Sequence, residues 1–204
     1  MAQKREPVLW VPWGTASFFP SKNLGCFGDG GALMTNNEEI GEKIRLIVNH
    51  GSRIKYYHEE IGVNSRLDTI QAAILRVKLR HLDSYNEARK SAADYYDELL
   101  SGVEQVQTPV RSLHCSHIFH QYTLKIKSGK RDALRDGLAK KNIPSMVYYP
   151  VPLSLQQAFM SAGYKKGDFP VTEKLCMEVL SLPMHTELKK DQQEYIVDNL
   201  KQLI

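Results

Sequence analysis

Apolar residues at Ile40, Ile44, Ile47 and Val48 recur at helical spacing and predict a helix over roughly Glu38 to Asn49. Asn36-Asn37 reads as the turn that enters and caps it, and "GGALMTN" just upstream as a strand. A polar and aromatic loop, "HGSRIKYYHEEIGVNSR", follows with a glycine near each end. The next segment, "LDTIQAAILRVKLRHLDSYNEARKSAADYYDELL", predicts one long helix. Leu67, Ile70, Ile74, Val77 and Leu82, with Ala73 beside them, lie along its apolar side. Asp68 and Gln71 are spaced for a capping box at its start, and Gly102 is placed to end it. Thr108-Pro109 marks a hinge.

Past the hinge the pattern predicts a strand in "HIFHQYTLKIK", with Phe119, Tyr122, Leu124 and Ile126 as its bulky positions. A helix over Lys130 to Lys141 with Leu134 and Leu138 inward comes next, then a second strand in "IPSMVYY". Short helices are expected over Leu153 to Ala162 and Val171 to Leu180. An amphipathic one closes the chain from Lys190 to Leu203, with Tyr195, Ile196, Leu200 and Leu203 apolar. The order of elements predicts a mixed α/β (α+β) fold in two parts, 1–107 and 108–204.

Composition narrows the function classes. With 42% hydrophobic and 25% charged residues in 204, the chain has the make-up of a soluble globular protein. The net charge of +4 is mild, and the basic pairs are dispersed among acids, which argues against a nucleic-acid surface. No apolar run approaches the ~18 residues of a membrane span. The apolar stretch near the N-terminus is broken by Pro7 and Pro12, unlike a signal peptide. Cys26, Cys115 and Cys176 are odd in number and widely spaced, so no disulfide framework is expected and a reducing cytoplasm is the default.

The candidate chemistry is sparse. "HCSHIFH" gathers His114, Cys115, His117 and His120, but no second ligand pair accompanies them, and strand histidines explain them better than zinc; no metal is expected. The glycines of "GCFGDGG" match neither phosphate-loop spacing and read as a turn. Asn64, Arg66 and the Tyr148-Tyr149-Pro150 group are weak signals on spacing alone. Lys22 stands between Pro20-Ser21 and that glycine-rich turn. A lysine amine so framed can hold pyridoxal phosphate (PLP) as a Schiff base, with Ser17, Ser21 and turn amides available for the phosphate. A solvated turn lysine is the competing reading.

Five segments change that balance: "SFFPSKNLGCFGDGGALMTN", "NHGSRIKYYHEEIGVNSRLDTIQAAIL", "HIFHQYTLKI", "IPSMVYYPVPL" and "SLPMHTEL". In this order and spacing the chain resembles the DegT/DnrJ/EryC1/StrS sugar aminotransferases, which are fold-type I PLP enzymes. The resemblance implies that Lys22 is the Schiff-base lysine, that Ser17 binds the cofactor phosphate, and that Asn64 reaches the partner subunit's phosphate across a homodimer. It implies transfer of an amino group from glutamate to a nucleotide-linked keto-sugar. Ser154 stands where the family often has histidine after Pro-Leu. On this reading 1–107 is a large-domain remnant and 108–204 the small domain. Only 21 residues precede Lys22, with Glu6 the only acid among them, in a segment that has no match in the family. The expectation is therefore of a C-terminal portion with weak or no PLP binding and no turnover alone. The alternative is a non-catalytic remnant or a dimerising interaction protein.

Overall fold

The computed structural model describes residues 12–204, so Glu6 and most of the unmatched N-terminal segment lie outside the described residues. The fold is mixed α/β and divides into two compact units, Met1–Leu82 and Asp83–Ile204.

In the first unit, β1 (Trp13–Ser17) and β2 (Gly31–Thr35) form an antiparallel ribbon with Trp13 opposite Thr35 and Ser17 opposite Gly31. Helix α1 (Glu38–Val48) follows where the periodicity places it. The Asn37 side chain accepts a hydrogen bond from the Ile40 amide at 3.1 Å, and Glu38 and Glu39 sit in the first turn, where helix N-termini favour negative charge. Asn37→Ala is expected to lower stability by about 1 kcal/mol in urea unfolding, whereas Asn36→Ala should be neutral.

The long helix expected from Leu67 onward is two helices, α2 (Thr69–Leu79) and α3 (Leu82–Leu99), separated at Arg80-His81. There the amides of Arg80 and His81 bond three residues back, to Val77 and Lys78, so the last turn of α2 tightens instead of continuing. The buried side of α2 is also not the expected one: Ile70 and Val77 are exposed and Leu75 is buried. Gln71, Leu75 and Lys78 form the inward stripe, rotated about 100° from the one expected. Gln71 therefore makes no capping box with Asp68, whose side chain caps nothing.

The second unit is built on an antiparallel sheet in the order β3 (Val106–Gln107), β4 (Tyr122–Ile126), β5 (Val179–Leu182). The central strand β4 puts Tyr122, Leu124 and Ile126 into the core, as its alternation predicts, with Phe119 buried just ahead of it. Helix α4 (Arg131–Lys140) turns Leu134 and Leu138 inward, and α6 (Lys190–Leu203) adds Ile196, Val197 and Leu200. Tyr195 stays half exposed, because its position faces away from that stripe. Gly137 lets α4 approach α6 closely, since a Cβ there would lie 2.9 Å from Leu203. Helix α3 joins the same core through Ala93 and Tyr96 and ends before Gly102, which takes a left-handed φ of +79°.

Two expected elements differ. "IPSMVYY" contributes a single bridge, Met146 to Ser181, not a strand. The third strand is instead β5, at the end of the run read as a helix over Val171 to Leu180. Helix α5 (Pro170–Glu178) stops there, and Val179–Leu182 pairs with β4. The short helix over Leu153 to Ala162 is two 3₁₀ turns, Leu153–Leu155 and Gln157–Ala162.

Candidate active site

The lysine segment is the connection between β1 and β2, residues 18–30, folded back on itself by backbone bonds. The Phe18 amide donates to the Gly30 carbonyl at 2.8 Å, and the Cys26 amide to the Phe18 carbonyl at 2.8 Å. Cys26 is buried, its Sγ lying 3.0 Å from the Phe18 carbonyl and 2.9 Å from that of Gly28. The loop thus closes over a small, weakly polar side chain. Gly25 is required at its position: a Cβ would lie 2.6 Å from the Pro20 oxygen and 2.7 Å from the Phe19 oxygen. Those carbonyls belong to the turn that presents Lys22, whose amide donates to Phe19 at 2.9 Å.

Ser17 ends β1 and Lys22 follows within the same loop, so one local structure carries both. Ser17 is exposed, and its Oγ accepts from the Phe19 amide at 3.3 Å. That bond uses an acceptor site and leaves the hydroxyl proton to be donated to a ligand. Lys22 is half-buried. A hydroxyl donor at a strand end and an amine in the adjoining turn fit the phosphate and carbonyl ends of PLP. Close backbone packing at Gly25 gives that turn a fixed shape.

Asn64 belongs to a different element, the 49–65 loop, which two backbone bonds register onto α1. The Val63 amide donates to Ile47 at 2.8 Å and the Ser65 amide to Val48 at 2.9 Å. Asn64 is exposed, and its Oδ1 accepts from Arg66 Nε at 3.2 Å, so the amide NH₂ is turned outward as a donor. Asn64 and Arg66 line a cavity of about 680 Å³ with Thr15, Ala32, Ile44 and Val48. Ala16, next to Ser17, and Asp29 and Gly30, at the end of the lysine loop, line the same cavity, although Ser17 and Lys22 themselves do not.

The histidine–cysteine segment is not a strand before Tyr122, and His117 Nδ1 accepts from the Phe119 amide at 2.9 Å. Among the described residues no group of three or more His, Cys, Asp or Glu could hold a metal ion, and no helix is long and apolar enough to cross a membrane. His185 is exposed, with Nδ1 accepting from the Glu187 amide at 3.2 Å.

Sequence reasoning missed two residues that touch the lysine loop. Gln71 Oε1 accepts from the Phe27 amide at 2.8 Å, and Lys78 Nζ donates to the Gly25 carbonyl at 2.5 Å. No local pattern signals them, because the partners are 44 and 53 residues apart.

The model of the DegT/DnrJ/EryC1/StrS aminotransferase family matches residues 12–201, and the chain belongs to that family. It is 51% identical over 188 residues to a protein named pleiotropic regulatory protein from Geobacillus stearothermophilus, covering 91% of this chain and 50% of that one. It is 40% identical over 186 residues to the dTDP-3-amino-3,4,6-trideoxy-alpha-D-glucose transaminase of Streptomyces venezuelae, covering 91% and 48%. Among solved structures, S. venezuelae DesV in complex with a ketimine intermediate superposes with a TM-score of 0.87 at 39% identity, covering 93% of this chain and 51% of that one. The chain spans about half the length of the relatives it matches.

Proposed function

We propose that this chain carries the lysine-bearing segment and the C-terminal domain of a PLP-dependent aminotransferase. Its substrates are a nucleotide-linked keto-sugar and glutamate, and its working form is a homodimer in the cytoplasm. The two-part reading, a large-domain segment over 1–107 and a small domain over 108–204, belongs to the same proposal. The observation that supports it is that Ser17, at the end of β1, and Lys22 belong to one connection closed by backbone hydrogen bonds. The dTDP-sugar named for the S. venezuelae relative supports the substrate class. The ketimine in the related structure supports the cofactor.

Bound here, PLP would supply an electron sink for the carbanion formed at the amino-bearing carbon. The protein's own part is holding and proton transfer. Ser17 Oγ would donate to a phosphate oxygen. Lys22 Nζ would hold the cofactor's carbonyl carbon and supply the amine that moves a proton at the reacting carbon. Asn64, whose Oδ1 accepts from Arg66, would offer its amide NH₂ to the partner subunit's phosphate.

Incubation with PLP, borohydride reduction and peptide mass spectrometry test the assignment. The pyridoxyl adduct is expected to concentrate on Lys22 and to disappear in Lys22→Ala. Because the measurement reads selectivity, it registers weak binding as well as tight. Labelling spread evenly over the lysines would overturn the proposal and favour a non-catalytic, dimerising role.

A further inference from the structure

We infer that Gln71 and Lys78, on the inward face of α2, are positioning residues for Lys22; the functional half of this inference rests on the PLP reading above. The two are seven residues apart on one side of a helix, flanking the buried Leu75. Both reach the same partner, the 18–30 loop, and both bind its backbone. Gln71 Oε1 accepts from the Phe27 amide at 2.8 Å, and Lys78 Nζ donates to the Gly25 carbonyl at 2.5 Å. The ammonium also stands 5.9 Å from the centre of the Phe27 ring, which brings the two anchoring points together.

The connection from these anchors to Lys22 is steric. Gly25 is packed so closely on the Phe19 and Pro20 carbonyls that there is no room for a Cβ between them. The Phe19 carbonyl is the acceptor for the Lys22 amide. A pull or release at the Gly25 carbonyl is therefore transmitted through rigid backbone to the turn that aims the lysine. Gly28 lies beside the other anchor, where a Cβ would stand 3.2 Å from Gln71 Nε2, the movable end of that side chain. Cys26, between the two anchors, is buried with its thiol against the Phe18 and Gly28 carbonyls. The loop is thus held from outside by α2 and from inside by a thiol. Neither Gln71 nor Lys78 belongs to the set assigned to the cofactor, and each acts only through the loop.

The test uses the full chain with Gln71→Leu, Gln71→Glu, Lys78→Met and Lys78→Arg. Glutamate keeps an acceptor for the Phe27 amide, and arginine keeps a cationic donor for the Gly25 carbonyl, so these two serve as rescues. Two readouts are taken on proteins whose circular dichroism matches the parent. The first is the fraction of Lys22 carrying the pyridoxyl adduct at fixed PLP. It is expected to fall at least several-fold in Gln71→Leu and Lys78→Met and to return towards the parent value in the rescues. The second is amide exchange, which needs no cofactor. The Lys22, Cys26 and Phe27 amides are expected to exchange faster in the two disabling variants, while those of α1 keep their parental rates.

Faster exchange with no selective labelling even in the parent would sink the PLP reading and leave the loop-holding role standing. Parental exchange rates in Gln71→Leu and Lys78→Met would overturn the positioning role itself. So would labelling losses in the rescues equal to those in the disabling variants.

Discussion

Gly51→Ala is expected to lower the stability of the Lys22-bearing unit by about 2–5 kcal/mol and to release the Asn64 loop from α1. Two costs add. Gly51 has a φ of +68°, a region that costs an L side chain about 1–2 kcal/mol. Its Cβ would also lie 1.8 Å from the Glu60 carbonyl oxygen, a backbone atom that cannot step aside as a side chain would. Forced overpacking of that kind adds about 1–3 kcal/mol. Separating the two loop segments there also breaks the bond from the Glu59 amide to the Gly51 carbonyl, 2.8 Å long. Gly62 faces the same crossing, with a Cβ 2.0 Å from the Gly51 nitrogen, but it has no left-handed φ. Gly62→Ala should therefore cost about 1–2 kcal/mol less than Gly51→Ala. Urea unfolding followed by amide exchange separates the cases. The Val63 and Ser65 amides should exchange faster in both variants, and those of β4 should not change. Parental urea midpoints in both would show that the crossing yields without cost.

That crossing also shows what a single sequence does and does not reveal. The two glycines bracketing the aromatic loop are visible as letters, but their mutual contact is not. The elements recovered well, α1, α4, α6 and the strand from Tyr122, owe their position to apolar periodicity and, for α1, to a cap one residue upstream. Those misread share another cause. Strand β5 continues the apolar run of α5 without a break, so only pairing with β4 decides where helix stops. In α2 the apolar letters suggested one face, yet a glutamine and a lysine bonded to a distant loop define the buried one. Of the proposed site, Ser17, Lys22 and Asn64 were assigned through family resemblance alone, because physics gave Lys22 two readings. Gln71 was read as a capping residue, and its real partner, 44 positions away, leaves no local trace.

In the second unit, Tyr96→Ala is expected to cost about 3–5 kcal/mol, the range for emptying a large aromatic site in a packed core. Tyr96 is fully buried, its ring stacks on Tyr122 with centroids 4.9 Å apart, and its hydroxyl donates to the Pro183 carbonyl at 3.0 Å. With Ala93 it joins α3 to the sheet core. Tyr96→Phe keeps the ring and loses only the hydrogen bond, so about 1 kcal/mol is expected.

The two variants should also differ from the parent in alkali. Burial pushes the Tyr96 phenol up, and burial, followed by the hydrogen bond to Asp97, does the same for Tyr122. In the unfolded chain both ionise near pH ~10, whereas the folded protein keeps their protons to higher pH. Stability is therefore fully present below pH ~10 and falls as pH rises further, because the unfolded state then binds fewer protons than the native one. Tyr96→Phe removes one of these two titrations. Its stability should decline less steeply than the parent's above pH ~10, and the gap between them should narrow as pH rises. An alkaline limb of equal slope in both proteins would mean that Tyr96 ionises as readily folded as unfolded, which its burial contradicts.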